Sequence, residues 1–217
     1  AGRDGADPKL VAEARVLADK WLKDKRAVAP EMVDAVLAIA ASQGDAAFQQ
    51  KLITAVVEEK ERKTRQHLLG GLGSFTDPAL AKQSLGLILD KRLDPRETMW
   101  LMFAASQNVR TQPVAFEFVK ENYDRIAGDS PDARLPQEAA GRMSFVAAGF
   151  CDAEKRQQAA DFFTERNARA PGGPRMLAQM LEIVDQCTSL KAAQGSSVES
   201  FLDQRSAPRP PQAPASR

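Results

Sequence analysis

Apolar residues recur along the chain at intervals of three and four. Phe48, Leu52, Ile53, Val56 and Val57 mark one such stripe, and Leu177, Met180, Leu181, Val184 and Cys187 another. With about 3.6 residues per turn, this spacing gathers the apolar side chains of a segment on one face of a helix. Alternating polar and β-branched runs are absent. Ala, Leu, Gln, Lys, Arg and Glu, all good helix formers, fill the intervals. The pattern predicts helices almost everywhere and essentially no sheet.

Punctuation divides the helices. Starts are predicted near Asp7-Pro8, Pro30, Asp45, Glu61, Asp77-Pro78, Asp94-Pro95, Gln112-Pro113, Leu135-Pro136, Asp152 and Gly173-Pro174. An Asp side chain caps free backbone N–H groups, and Pro at the first helical position sacrifices no hydrogen bond. The starts at 77, 94 and 112 are spaced by about 17 residues, which makes a helix pair of about 34 to 35. A single pair cannot bury its apolar stripe alone, so pairs stack. The Trp-Leu-Gly and Tyr pattern of the tetratricopeptide repeat is absent. The expected fold is therefore all-α, an α-α superhelix in the form of an irregular HEAT-like solenoid of stacked helical hairpins. Leu80 to Leu89 is apolar on most sides, which suits an inner helix covered on both flanks. Residues 1–205 form this domain, and the Pro-rich segment 206–217 is expected to be a disordered tail.

At 217 residues the chain is long enough to bury a core without metal or disulfide staples. Its 30 basic and 29 acidic residues nearly cancel, so no global field favours nucleic acid. No apolar run approaches the roughly 20 residues needed to span a bilayer. Ala1 in place of Met fits a processed product or an excised piece and fixes no compartment.

Catalytic chemistry is hard to assemble from these residues. A catalytic zinc ordinarily takes three protein ligands, commonly two His on one helix turn plus a third His or an acid. His67 is the one histidine, and it has no His-Glu-x-x-His context. It reads as a surface or interhelix histidine. Cys151 and Cys187 lie on different predicted helices in no metal-binding spacing. They are expected to be two buried or half-buried thiols acting as small apolar side chains, with a bridge as the lesser alternative. Gly70, Gly71 and Gly73 follow a helix rather than a strand, so they read as helix termination and close helix packing, not a phosphate loop. The run from Glu58 to Arg65 is most simply a solvated face. Its functional alternative is that Arg62 or Arg65 binds a peptide carboxylate, for which a guanidinium fork is well shaped.

Several segments, read in order, resemble the C-terminal domain of the M1 zinc aminopeptidases, the family of the puromycin-sensitive and endoplasmic-reticulum enzymes. Arg65 to Gly73 is similar to the family's Arg-x-x-Leu-Leu-x-x-Leu-Gly helix end. Asn108, Ala115, Phe116, Phe118, Val119, Asn122 and Tyr123 stand where the family has Asn, Ala-Trp-x-Phe and Asn-Trp. Phe116 and Tyr123 thus replace tryptophans, and Thr111 replaces the usual linker Gly. Phe150-Cys151-Asp152-Ala153-Glu154, the pair Phe162-Phe163, and Arg175, Gln179, Leu181 and Glu182 continue the likeness.

The resemblance implies an incomplete piece of a larger enzyme. Zinc and hydrolysis would belong to the parent, and this chain would carry no cofactor. Its partners would be the parent's catalytic thermolysin-like domain and a peptide enclosed between them, with no nucleic acid and no membrane span. The domain would cover the active-site chamber and limit or position peptides. No substrate residue of the family transfers to a position here. Two alternatives stay open: an independent HEAT-like adaptor that binds a protein or peptide in its groove, and a helical enzyme with an unrecognised site.

Overall fold

A computed structural model describes residues 7–128 and 130–206. Among the described residues there are ten α-helices and no strand. The first half comprises α1 (Pro8–Lys23), α2 (Val33–Ser42, entered through a 3₁₀ turn at Pro30–Met32), α3 (Ala46–Glu58), α4 (Arg62–Leu72) and α5 (Pro78–Gly86). The second half comprises α6 (Pro95–Thr98), α7 (Trp100–Ser106), α8 (Gln112–Ala127), a 3₁₀ stretch at Gln137–Ala147, α9 (Ala153–Ala168) and α10 (Gly173–Ser206).

Each predicted start opens a helix or a 3₁₀ segment. Asp7, Asp45, Glu61, Asp77, Asp94 and Asp152 accept backbone N–H bonds from the first turns they precede. Such caps satisfy donors that have no partner within the helix. Helices close in the chain then pack, adjacent or with one or two helices between them: α1 on α2, α2 and α3 on α4, α5 and α7 on α8, and α9 on α10. The result is an all-α superhelix of stacked pairs. Its core runs through Leu37, Phe48, Leu52, Leu68, Leu85, Phe116, Met143 and Phe163, all fully buried. Each such side chain contributes about 1.5–3 kcal/mol relative to exposure.

The expected inner helix at Leu80–Leu89 is built in two parts. α5 ends at Gly86 and the chain tightens into a 3₁₀ turn at Leu87–Leu89, whose Leu87 and Ile88 are buried. Of the glycines after His67, Gly71 and Gly73 pack as expected, whereas Gly70 is exposed with only the Asp34 carboxylate within 4 Å of a Cβ. A Cβ on Gly71 would lie 3.2 Å from the Leu37 Cβ, and one on Gly73 would lie 2.7 Å from the Ala104 Cβ. The aromatic positions of the resemblance converge on one knot. Phe116 meets Phe150 edge-on at 5.3 Å, and Tyr123 meets Phe162 at 5.8 Å and Phe163 at 6.3 Å. Thr111, where the family resemblance has Gly, is buried and donates its hydroxyl to the Ala105 carbonyl at 2.6 Å.

One expectation is overturned. Cys151 and Cys187 are not separate thiols but a disulfide, with Cα atoms 5.2 Å apart. The packing of α9 against α10 brings together two residues that lie 36 apart in sequence, which no local spacing reveals. The expected tail falls outside the described residues from 207 onward, and α10 itself continues through Ser206. No described helix is long and apolar enough to cross a membrane.

Candidate functional site

α4 starts at a Glu61 cap and projects Arg62, Gln66 and Leu69 along one face, as spacings of four and three residues require. Facing them are Arg96, Glu97 and Trp100, delivered by the short α6 and the first residue of α7. These side chains wall a groove of about 300 Å³. Leu101 and Ala104 add apolar surface to its wall. Trp100 is 62% exposed, which makes it one of the largest apolar side chains left outside the core.

Arg65 and Arg62 play different parts. The Arg65 guanidinium donates through Nε and Nη2 to the two carboxylate oxygens of Glu97, at 2.8 and 3.0 Å. Its Nη1 donates to the backbone carbonyls of Lys60, at 2.8 Å, and Glu59, at 3.3 Å. The bidentate fork fixes α6 to α4 and to the turn before it, and the Glu97 carboxylate holds the Arg65 guanidinium above its ordinary pKa. Glu97 is almost enclosed, with 8% of its side chain exposed. Arg62 touches the same carboxylate only at 3.5 Å, and 75% of its side chain is exposed.

Arg96 is paired at its own helix start, where the Asp94 carboxylate accepts from Nε and Nη2. The Arg96 guanidinium in turn keeps the Asp94 carboxyl below its ordinary range. The charged residues that line the groove are Arg62, Arg96 and Glu97. Arg96 is held by Asp94 and Glu97 by Arg65, so the least engaged charge of the groove is the exposed Arg62.

The two arginines of the charge run thus lie together, but Arg65 is bound into the scaffold. Sequence reasoning missed Trp100, Gln66 and Arg96. Trp100 sits between Met99 and Leu101 in a continuous apolar run, and nothing in that run says which side faces out. The Arg96-to-Trp100 spacing of four was the available signal, since it puts a cation and an aromatic on one helical face.

The donor set does not fit a catalytic zinc. His67 directs its Nδ1 to the Asp34 carboxylate at 2.6 Å and stands edge-on to Trp21 at 6.2 Å. Both cysteines are consumed by the disulfide. Among the described residues no three His, Cys, Asp or Glu side chains cluster to hold a metal.

The family profile described as ERAP1-like C-terminal domain matches residues 1–186 of the chain. Comparison with curated proteins returns no match.

Proposed function

Because the chain belongs to the ERAP1-like C-terminal domain family, the C-terminal domains of M1 aminopeptidases, we propose that it is the noncatalytic cover of a zinc aminopeptidase. In this reading the parent's thermolysin-like domain holds the zinc and removes N-terminal residues from peptides. The present domain closes the chamber and positions the peptide. The helix starts at 78, 95 and 112 are read as irregular HEAT-like repeats that give the cover its curvature.

The observation that carries the proposal is the groove at Arg62 and Trp100. A peptide end brings a carboxylate and a side chain. The exposed Arg62 guanidinium suits the first, and the exposed indole with Leu101 and Ala104 suits the second. Arg65 acts through Glu97 as a positioning residue, keeping α6 against α4 so that the groove keeps its width. Enclosure contributes by excluding water and by holding the peptide in reach of the distant zinc.

The test combines the chain with a matching catalytic fragment and compares a single aminoacyl reporter with long peptides. Arg62→Ala should leave reporter hydrolysis unchanged and raise KM for a long peptide with a free C-terminus by about tenfold, the effect of losing one charged hydrogen bond. Amidating that peptide should produce the same rise on the unmodified protein and no further rise on the variant. Equal kinetics for free and amidated peptides on the unmodified protein would remove Arg62 from the site.

A further inference from the structure

α10 is 34 residues long, about 51 Å at 1.5 Å per residue. Its first half is core: Leu177, Met180 and Val184 are buried, Arg156 pairs with Asp185, and Cys151 bonds Cys187. After that disulfide the helix runs on, and none of residues 188–205 is buried. The family match ends at residue 186, so this projecting arm lies beyond it. It holds Gly195, Val198 and five serines, which are weak helix formers, and an isolated helix of its length is marginal in water. It also exposes Leu190 (58%), Phe201 (54%) and Leu202 (54%). An arm of this composition calls for a covering surface.

The uncovered face has a regular pattern. Met176, Ile183, Leu190 and Ser197 recur every seven residues, with Gln179, Gln186, Gln194 and Phe201 beside them. No charged residue falls within that line, while Lys191, Glu199 and Asp203 project elsewhere on the helix. Arg205 lies over the Phe201 ring at 5.0 Å, at the line's edge. Next to Met176 and Gln179 the body of the domain opens an apolar trough of about 320 Å³, walled by Trp100, Phe103 and Phe145, with Arg142 at its rim.

We propose that two copies of this chain dimerise through antiparallel α10 helices, the two-fold axis passing at Leu190. Leu190 is next to the midpoint of the helix, so the two helices overlap over nearly their whole length. Leu190 then meets its counterpart, Gln194 lies across from Gln186, and the small Ser197 faces the exposed Ile183. Phe201 of each copy arrives beside Gln179 of the other and enters the Trp100–Phe103–Phe145 trough, which shares only Trp100 with the Arg62 groove. The footprint of a helix about 10 Å wide over this length is about 500 Å² per copy. The total of about 1,000 Å² reaches the lower end of what a specific interface needs, whereas pairing of the arms alone would supply about half. A parallel pair would stack Phe201 on Phe201 and leave the trough uncovered.

Sedimentation velocity on the intact chain, from about 1 to 100 µM, measures the association. A concentration-dependent dimer is expected. Leu190→Glu should weaken it at least about a hundredfold, because the substitution enters a two-fold contact twice. Phe201→Ala and Trp100→Ala should each weaken it about tenfold, and the double variant little more than either alone, since they share one contact. Orientation is read by mixing Ser197→Cys and Ile183→Cys chains, which should cross-link to each other. All these side chains are solvent-exposed in the single chain, so circular dichroism should be unchanged. A monomer throughout the range, a dimer indifferent to Leu190→Glu, or Ser197→Cys chains that cross-link among themselves would overturn the proposal.

Discussion

Asn167 is fully buried near the end of α9, and its amide nitrogen donates to the Gly173 carbonyl at 3.1 Å, the Gly141 carbonyl at 3.2 Å and the Ser144 hydroxyl at 3.4 Å. One side chain thereby ties α9 to the 3₁₀ stretch and to the first residue of α10. The glycines around it permit the approach. A Cβ on Gly173 would strike the Asn167 backbone carbonyl, and one on Gly141 would come within 3.1 Å of the Gly173 Cα. Gly172, at φ +69°, turns the chain in the left-handed region that side chains disfavour. Asn167→Ala should cost about 2–3 kcal/mol, because two buried carbonyls lose their donor. Asn167→Asp should cost more, since it sets a desolvated carboxylate against those same oxygens. Urea unfolding of both variants checks the order, and an Asp variant as stable as the Ala variant would show that water reaches the node.

Between elements, the disulfide is the strongest single tie. It closes a loop of 36 residues from the start of α9 to the middle of α10, and in the chain-entropy picture such a loop is worth about 3–4 kcal/mol. Replacing Cys151 and Cys187 by Ser together should lower the unfolding free energy by about that much. The same loss should follow reductant on the unmodified chain and be absent when reductant is added to the Ser variant. This tie was invisible in the sequence, whereas the helix starts were not. A cap such as Asp45 acts on the N–H of Phe48, three residues away, so its signal is local. The Cys pair, like Arg65 and its partner Glu97 at a separation of 32, becomes legible only once the helices are stacked. The break between α6 and α7 at Met99 was equally hidden because good helix formers run through it, and the full length of α10 because Gly195, Val198 and the serines of its second half are weak helix formers. The groove shows the same division. Arg62 stood out in a charge run, but the neighbours that make a groove beside it come from a helix pair further along the chain.

Over the whole molecule, one apolar core runs through both halves, but the contacts added to it differ, and acid should tell the halves apart. Five carboxylates held below their ordinary range lie between residues 19 and 94. Lys51 donates to Asp19 and links α1 to α3, and the backbone N–H of Phe48 holds Asp45. Thr64 holds Glu61, while the guanidiniums of Arg92 and Arg96 hold Asp90 and Asp94. A carboxylate whose folded pKa is depressed stabilises the fold fully above its unfolded value, about 3.9 for Asp and 4.3 for Glu. That stability is lost as pH falls through the lower folded value. The region from α8 to α10 has the Asp152 cap and the Arg156–Asp185 pair, and adds to them the ring knot around Phe116 and Phe163 and the disulfide, neither of which titrates in acid. Lowering the pH below about 4 should therefore loosen α1 to α6 while α8, α9 and the packed half of α10 hold. Pepsin, which is active in that range, offers a direct reading by mass spectrometry of the earliest fragments. Leaving aside the projecting arm, its first cuts should fall before residue 98, and first cuts within 112–168 would show that the caps and ion pairs of the N-terminal pairs carry less of the stability than their lowered pKa values indicate.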